Sequence, residues 1–260
     1  MTMKGSTLTV ALAAALILIG AGCTSPVTLE KPNVSSEAVS SGATLRLTWT
    51  AVTDAKSYEI TTDDSTYTTT STSFDVTTPT GTIDVRAVSG SDKSDPAVID
   101  CKVVETSSLV LYGISDANAN DPSGLAFTTS GSASALSLAD ANKPTVDFVC
   151  DDQQGSVTPV GLINAGDYGW TGNSKVNTLM DAGSTDYDAF TEAAASGFTT
   201  QLATQANGVY ALWLSSSTSW TTSDHYAKMK IISVDQPNST YYKVTLRVAY
   251  QKIGGLRWLK

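Results

Sequence analysis

Across residues 25–104, apolar side chains recur at every second position in short runs separated by clusters of Ser, Thr, Gly and Asp. Leu45, Leu47 and Trp49 share one face of their run, Tyr58 and Ile60 share another, and Ile83, Val85 and Ala87 alternate with Asp84 and Arg86. A period of two belongs to a strand with one face in a core and one in water, and many such strands divided by turns predict an antiparallel sandwich. The stretch from Thr61 to Thr82 holds eleven threonines and invites a reading as a glycosylated or disordered stalk. Tyr67, Phe74 and Val76 within it sit at spacings a sandwich can bury, so two exposed strands with polar faces are expected instead. Further on, Ile99, Cys101 and Val103 point inward between Asp100 and Lys102.

Glu105-Thr106-Ser107-Ser108 reads as a short polar break, after which residues 105–260 predict a second, larger β-sandwich. Strands are expected at 107–112 and at 145–150, where Val146, Phe148 and Cys150 share a face, with a turn-rich loop over 116–124. One short helix is expected at 186–196: Asp186 can cap it, Tyr187, Phe190 and Ala194 form a stripe, and Gly197 can end it. After Asn207-Gly208 three more strands follow, at 209–214, 225–234 and 241–251. The expected fold class is therefore all-β, with two sandwiches and one helix.

The N-terminus has a different character. Lys4 precedes an uncharged apolar stretch of 15 residues, 8–22, too short for a transmembrane helix and the right length for the core of an export signal. It closes on Ile19-Gly20-Ala21-Gly22-Cys23, which resembles the bacterial lipobox, with Gly20 where that motif more often has Leu. The resemblance implies removal of residues 1–22, acylation of Cys23 by several chains, palmitate among them, and anchoring to a membrane. Thr24 is not the Asp that retains many such lipoproteins at the inner membrane, so outer-membrane or cell-surface placement is expected. The alternative is ordinary secretion with Cys23 incidental.

Within residues 23–104, Trp49, Tyr58, Val85-Arg86-Ala87 and Ser94-Asp95-Pro96-Ala97 fall in an order that resembles a fibronectin type III domain. That family is used as a spacer or binding module, so the resemblance implies a sandwich and no particular activity. Ile83 stands where the family usually has a tyrosine, so that corner hydrogen bond is not expected. In the second half Tyr210-Ala211-Leu212-Trp213, Tyr226-Ala227-Lys228-Met229-Lys230-Ile231 and Ala249-Tyr250-Gln251 faintly resemble HmuY-type surface lipoproteins. Those hold haem iron between two histidines, whereas this chain has one histidine, His225, so no haem and no other cofactor is carried over.

Composition narrows the function further. Only 16% of residues are charged and the net charge is −9, with no basic run, which argues against a nucleic-acid partner. A single histidine excludes a multi-histidine zinc site, and there is no GxSxG elbow or phosphate-binding glycine loop, so no catalytic or metal residue is nominated. His225 reads as a turn histidine, and Asp151 and Asp152 as loop solubilisers, because adjacent strand residues face opposite ways. The alternating oxygen donors of Asp116-Ala117-Asn118-Ala119-Asn120-Asp121 suit a hard cation but lack the Gly and Glu of an EF-hand, and an Asn/Asp turn is the simpler reading. Cys101 and Cys150 are expected as buried free thiols in separate cores, with a bridge between the domains as the alternative. Trp49 and Trp213 read as core, whereas Trp170 and Trp220 lie among turn residues and are the nominated contact residues. The expected function is a non-catalytic binding or adhesion module for a glycan or protein partner. The alternatives are a structural envelope component and an enzyme with an unrecognised site.

Overall fold

The computed structural model describes residues 27–183 and 186–260; the segment expected as an export signal and Cys23 lie outside the described residues. The first half folds into β1 (Val34–Val39), β2 (Thr44–Trp49), β3 (Ser57–Thr61), β4 (Thr66–Thr69), β5 (Ser73–Val76), β6 (Thr82–Ser89), β7 (Asp92–Lys93) and β8 (Ala97–Asp100). One antiparallel sheet has the order β1-β2-β5, and the other the order β4-β3-β6, with β7 and β8 both on β6. The period-two positions do what their pattern requires: Leu45, Leu47, Ile60, Ile83 and Val85 are completely buried in one shared core. Trp49 meets Tyr58 edge-on at 5.1 Å between ring centres. The threonine-rich stretch supplies β4 and β5, one to each sheet, with mostly exposed residues; Val76 is buried as expected, whereas Tyr67 stays exposed and packs on Phe74 at 5.1 Å between ring centres.

The second half contributes β9 (Val104–Tyr112), β10 (Gly124–Phe127), β11 (Ala133–Leu136), β12 (Phe148–Asp151), β13 (Gly161–Asn164), β14 (Thr178–Asp181), β15 (Gln201–Ala203), β16 (Val209–Leu214), β17 (His225–Asp235) and β18 (Lys243–Tyr250). Two five-stranded antiparallel sheets result, β14-β16-β17-β18-β9 and β11-β10-β12-β13-β15. Side chains from both, Leu111, Phe148, Leu162, Tyr210, Met229 and Leu246 among them, fill a common core. Cys101 and Cys150 are free thiols, one in each of the two cores. Burial pushes the Cys101 thiol up to about 12.

Three expectations are corrected. Residues 105–108 are not a break but lie in the first half of β9; among the described residues this strand pairs with β18 alone, at the sheet edge, where Glu105, Ser107 and Ser108 are exposed. Val146 does not share a face with Phe148 and Cys150. It packs with Val149 and Ala165 in a separate cluster, because Asp147 turns inward and accepts from the Phe127 backbone N–H at 2.7 Å.

Nor is there a helix at 186–196. Among the described residues the helical pieces are 3-10 turns of three or four residues. Asp186 does cap a turn, accepting from the N–H groups of Asp188 and Ala189 at 3.0 and 3.1 Å. The turn stops there because the buried Lys228 ammonium donates to the carbonyls of Tyr187 and Phe190 at 3.0 and 3.2 Å, taking the acceptors a helix would need. From there the chain runs beside the C-terminal segment, with Ala193 N–H donating to Arg257 O and Leu259 N–H to Thr191 O.

That C-terminal segment ties the two halves together. Leu256 is fully buried in the first core, with Ile253 and Trp258 packed against it. Arg257 donates to Ser41 O at 2.8 Å and to Ala193 O, and pairs with Glu192 at 2.9 Å. Trp258 donates to Ala43 O at 2.8 Å, and Lys252 pairs with Asp100 at 2.6 Å. The approach is close enough that a Cβ on Gly42 would sit 2.2 Å from Gly255 O.

Candidate binding recess

Both faces of β16 are covered. Tyr210 and Leu212 enter the main core, whereas Ala211 and Trp213 face the other way and join Tyr226 and Leu259 in a smaller cluster. Trp213 lies opposite Thr178 of β14 and Tyr226 of β17, stacking on Tyr226 with 6.1 Å between ring centres and an interplanar angle of 11°. Phe198, just after the left-handed Gly197 (φ +94°), meets Trp213 edge-on at 5.7 Å.

The loop between β16 and β17 brings in Trp220. Its geometry is set by Asp224, which is 3% exposed and receives four donors: Trp213 Nε1 at 3.0 Å and Thr221 N–H at 2.7 Å on Oδ2, Ser215 Oγ at 2.9 Å and Thr221 Oγ1 at 3.0 Å on Oδ1. Trp220 Nε1 in turn donates to Gly255 O at 2.9 Å. Gly255 has φ +75°, and a Cβ there would lie 3.0 Å from the Trp220 ring, so this contact requires glycine.

Between these rings lies a recess of about 450 Å³, within the size range of small-molecule sites. Phe198, Trp213 and Trp220 form its aromatic lining, Ser41 reaches it from the first sandwich, and none of its lining side chains is charged. Thr178 lines it too, and its Oγ1 is buried with no hydrogen-bond partner among the described residues. Both indole N–H groups are already bonded to the protein, so what the rings offer is apolar surface held in fixed orientation. A second recess where the halves meet, about 430 Å³ around Glu37 and Arg46, has no aromatic lining.

The two nominated tryptophans are not brought together. Trp220 lines the recess just described, whereas Trp170 lines a separate, polar one of about 400 Å³ with Asp140 and Lys143. Trp170 stacks on Tyr168 at 5.0 Å, and the Lys143 ammonium lies 5.5 Å from its ring centre. Trp213, expected as core, is only half-buried and belongs to the site together with Phe198 and Asp224, which sequence reasoning missed. A signal for Trp213 was present: a strand whose two faces both carry apolar residues must be covered on both sides.

The other candidates resolve differently. His225 stacks on Tyr250 at 5.1 Å, with Nδ1 3.1 Å from Gln251 O. Asp151 and Asp152 do face different partners, but they are not solubilisers. Asp151 is fully buried and accepts from Gln153 N–H, Gln154 N–H and Tyr168 Oη, while Asp152 accepts from Ser115 and from Tyr242 N–H. The 116–121 segment forms successive Asx turns, Asn118 N–H to Asp116 Oδ1 at 3.0 Å and Asn120 N–H to Asn118 Oδ1 at 3.2 Å. Desolvation and the neighbouring Asp116 raise the Asp121 pKa. No protein-family model matches the chain, and none of the curated proteins matches it in sequence.

Proposed function

We propose that this chain is an exported, lipid-anchored and non-catalytic binding module whose contact site is the recess lined by Phe198, Trp213 and Trp220. The observation that carries the reading is a set of indole rings anchored by their N–H groups around an uncharged hollow, a preorganised surface for a partner. The lipobox resemblance at Cys23 supplies the anchor, and outer-membrane or surface placement follows from Thr24. The first sandwich serves as a fibronectin type III-like spacer, a reading supported by its two antiparallel sheets, of three and five strands, and by Trp49 against Tyr58.

Two measurements test this. Cys23→Ala should release the protein from the membrane fraction, and membrane association that survives a salt wash would contradict the anchor. The unlipidated protein should also bind a component of a glycan and surface-protein array. Thr218→Arg, an exposed change at the recess, should weaken that binding at least tenfold, while Trp170→Ala leaves it unchanged. The reverse pattern, or an array with no binder, would overturn the assignment of the site.

A further inference from the structure

Resting on the reading of the recess as the contact site, we infer that its ligand is a neutral saccharide, one pyranose ring of which stacks on the indole surfaces of Trp213 and Trp220. The chemistry of the lining selects this class. A pyranose has a face of C–H bonds and a rim of hydroxyls, so it needs flat apolar surface beside hydroxyl-bearing groups. The recess supplies both: three aromatic rings, and the hydroxyl-bearing residues Ser41, Thr200, Ser217 and Thr218.

Three competing classes fit less well. An anionic ligand would lose water without gaining a cation, because no charged side chain lines the hollow. A wholly aliphatic ligand would bring no polar group to the Thr200 and Thr218 hydroxyls it covers, whereas a saccharide hydroxyl does. A peptide that adds as a further strand would need an open strand edge beside the rings. The nearest edge, that of β14, is closed by Thr199, which exchanges N–H to O bonds with Leu179 at 2.8 and 2.9 Å.

The test uses the unlipidated full chain and defined probes: methyl glycosides and short oligosaccharides of neutral hexoses and N-acetylhexosamines, uronic and sialic acids, and a medium-chain alcohol. Intrinsic tryptophan fluorescence reads binding, and saturation-transfer NMR reads which ligand protons touch the protein. A neutral saccharide should bind, with the strongest saturation on its ring C–H protons. Ser196→Trp, which fills the recess from an exposed position, should abolish the signal. Thr218→Val, at an exposed position of the lining, should weaken binding about fivefold to tenfold without lowering thermal stability, the factor expected for one hydrogen bond. If only acids or the alcohol bind, and Ser196→Trp blocks them, the recess stands as the contact site and the saccharide assignment is overturned. If neutral saccharides bind but Ser196→Trp leaves them unaffected, or if no probe responds to that variant, both the ligand class and the site are overturned.

Discussion

Asp224 shows how much of this site depends on one side chain. Its two oxygens hold Trp213, Ser215 and Thr221, so Asp224→Asn keeps the shape but turns an amide N–H₂ toward groups that are themselves donors. We expect a loss of about 2 kcal/mol in urea denaturation, the size of a buried polar group left unpaired. Array binding should fall as well, because the Trp213 indole is no longer fixed; unchanged stability and binding would contradict the positioning role. None of this was legible in Ser223-Asp224-His225, which reads as any turn aspartate until the fold brings Trp213 across from it. Trp220 and Trp170 were both nominated by their turn settings, and both rings pack: Trp220 against residues of the first core with its Nε1 on Gly255 O, Trp170 on Tyr168. Local sequence does not tell which of two such rings will line an aromatic recess.

At the scale of the element, apolar runs bounded by clear turn residues were the most readable. The stretch at 209–214 is β16 residue for residue, and 225–234 falls one residue short of β17. The segment at 186–196 failed because its Ala-rich pattern and Asp186 cap are real helix signals, but helix propensity is a weak prior that tertiary partners override. Lys228 and the C-terminal segment are those partners, and both are distant in the chain. Lys228→Met should therefore strand the carbonyls of Tyr187 and Phe190 and lower stability by about 1–3 kcal/mol. Burial holds the pKa of Lys228 below its ordinary value, and part of the loss will be offset by relief of that desolvation. A more stable Lys228→Met protein would show that these bonds do not hold the segment.

For the whole molecule, the C-terminal segment makes the first sandwich depend on residues more than 150 positions away, a dependence that the split at residue 104 did not foresee. Deleting residues 253–260 removes Leu256 from the first core and Arg257 and Trp258 from its edge. The first sandwich should then melt several degrees earlier than in the full chain; an unchanged transition, followed by Trp49 fluorescence, would contradict that dependence. Alkaline pH offers a second test at this scale. The thiols of Cys101 and Cys150 and the phenols of Tyr168, Tyr187, Tyr226 and Tyr250 all have raised pKa values, caused first by burial. The folded chain thus keeps protons that the unfolded chain releases above about pH 9–10, and stability must fall as pH rises through that range. Lys228 works the other way, because the unfolded chain holds its proton longer, but it is one group against these six, with Tyr210 and Tyr241 raised as well. A urea midpoint unchanged up to pH 11 would contradict the burial of these groups. The binding claim is tested most directly by the indole N–H resonances of the five tryptophans in ¹⁵N-labelled protein, titrated with the component the array identifies. We expect the Trp213 and Trp220 signals to move while those of Trp49 and Trp170 stay in place; movement confined to Trp170, or to none of the five, would contradict binding at the recess.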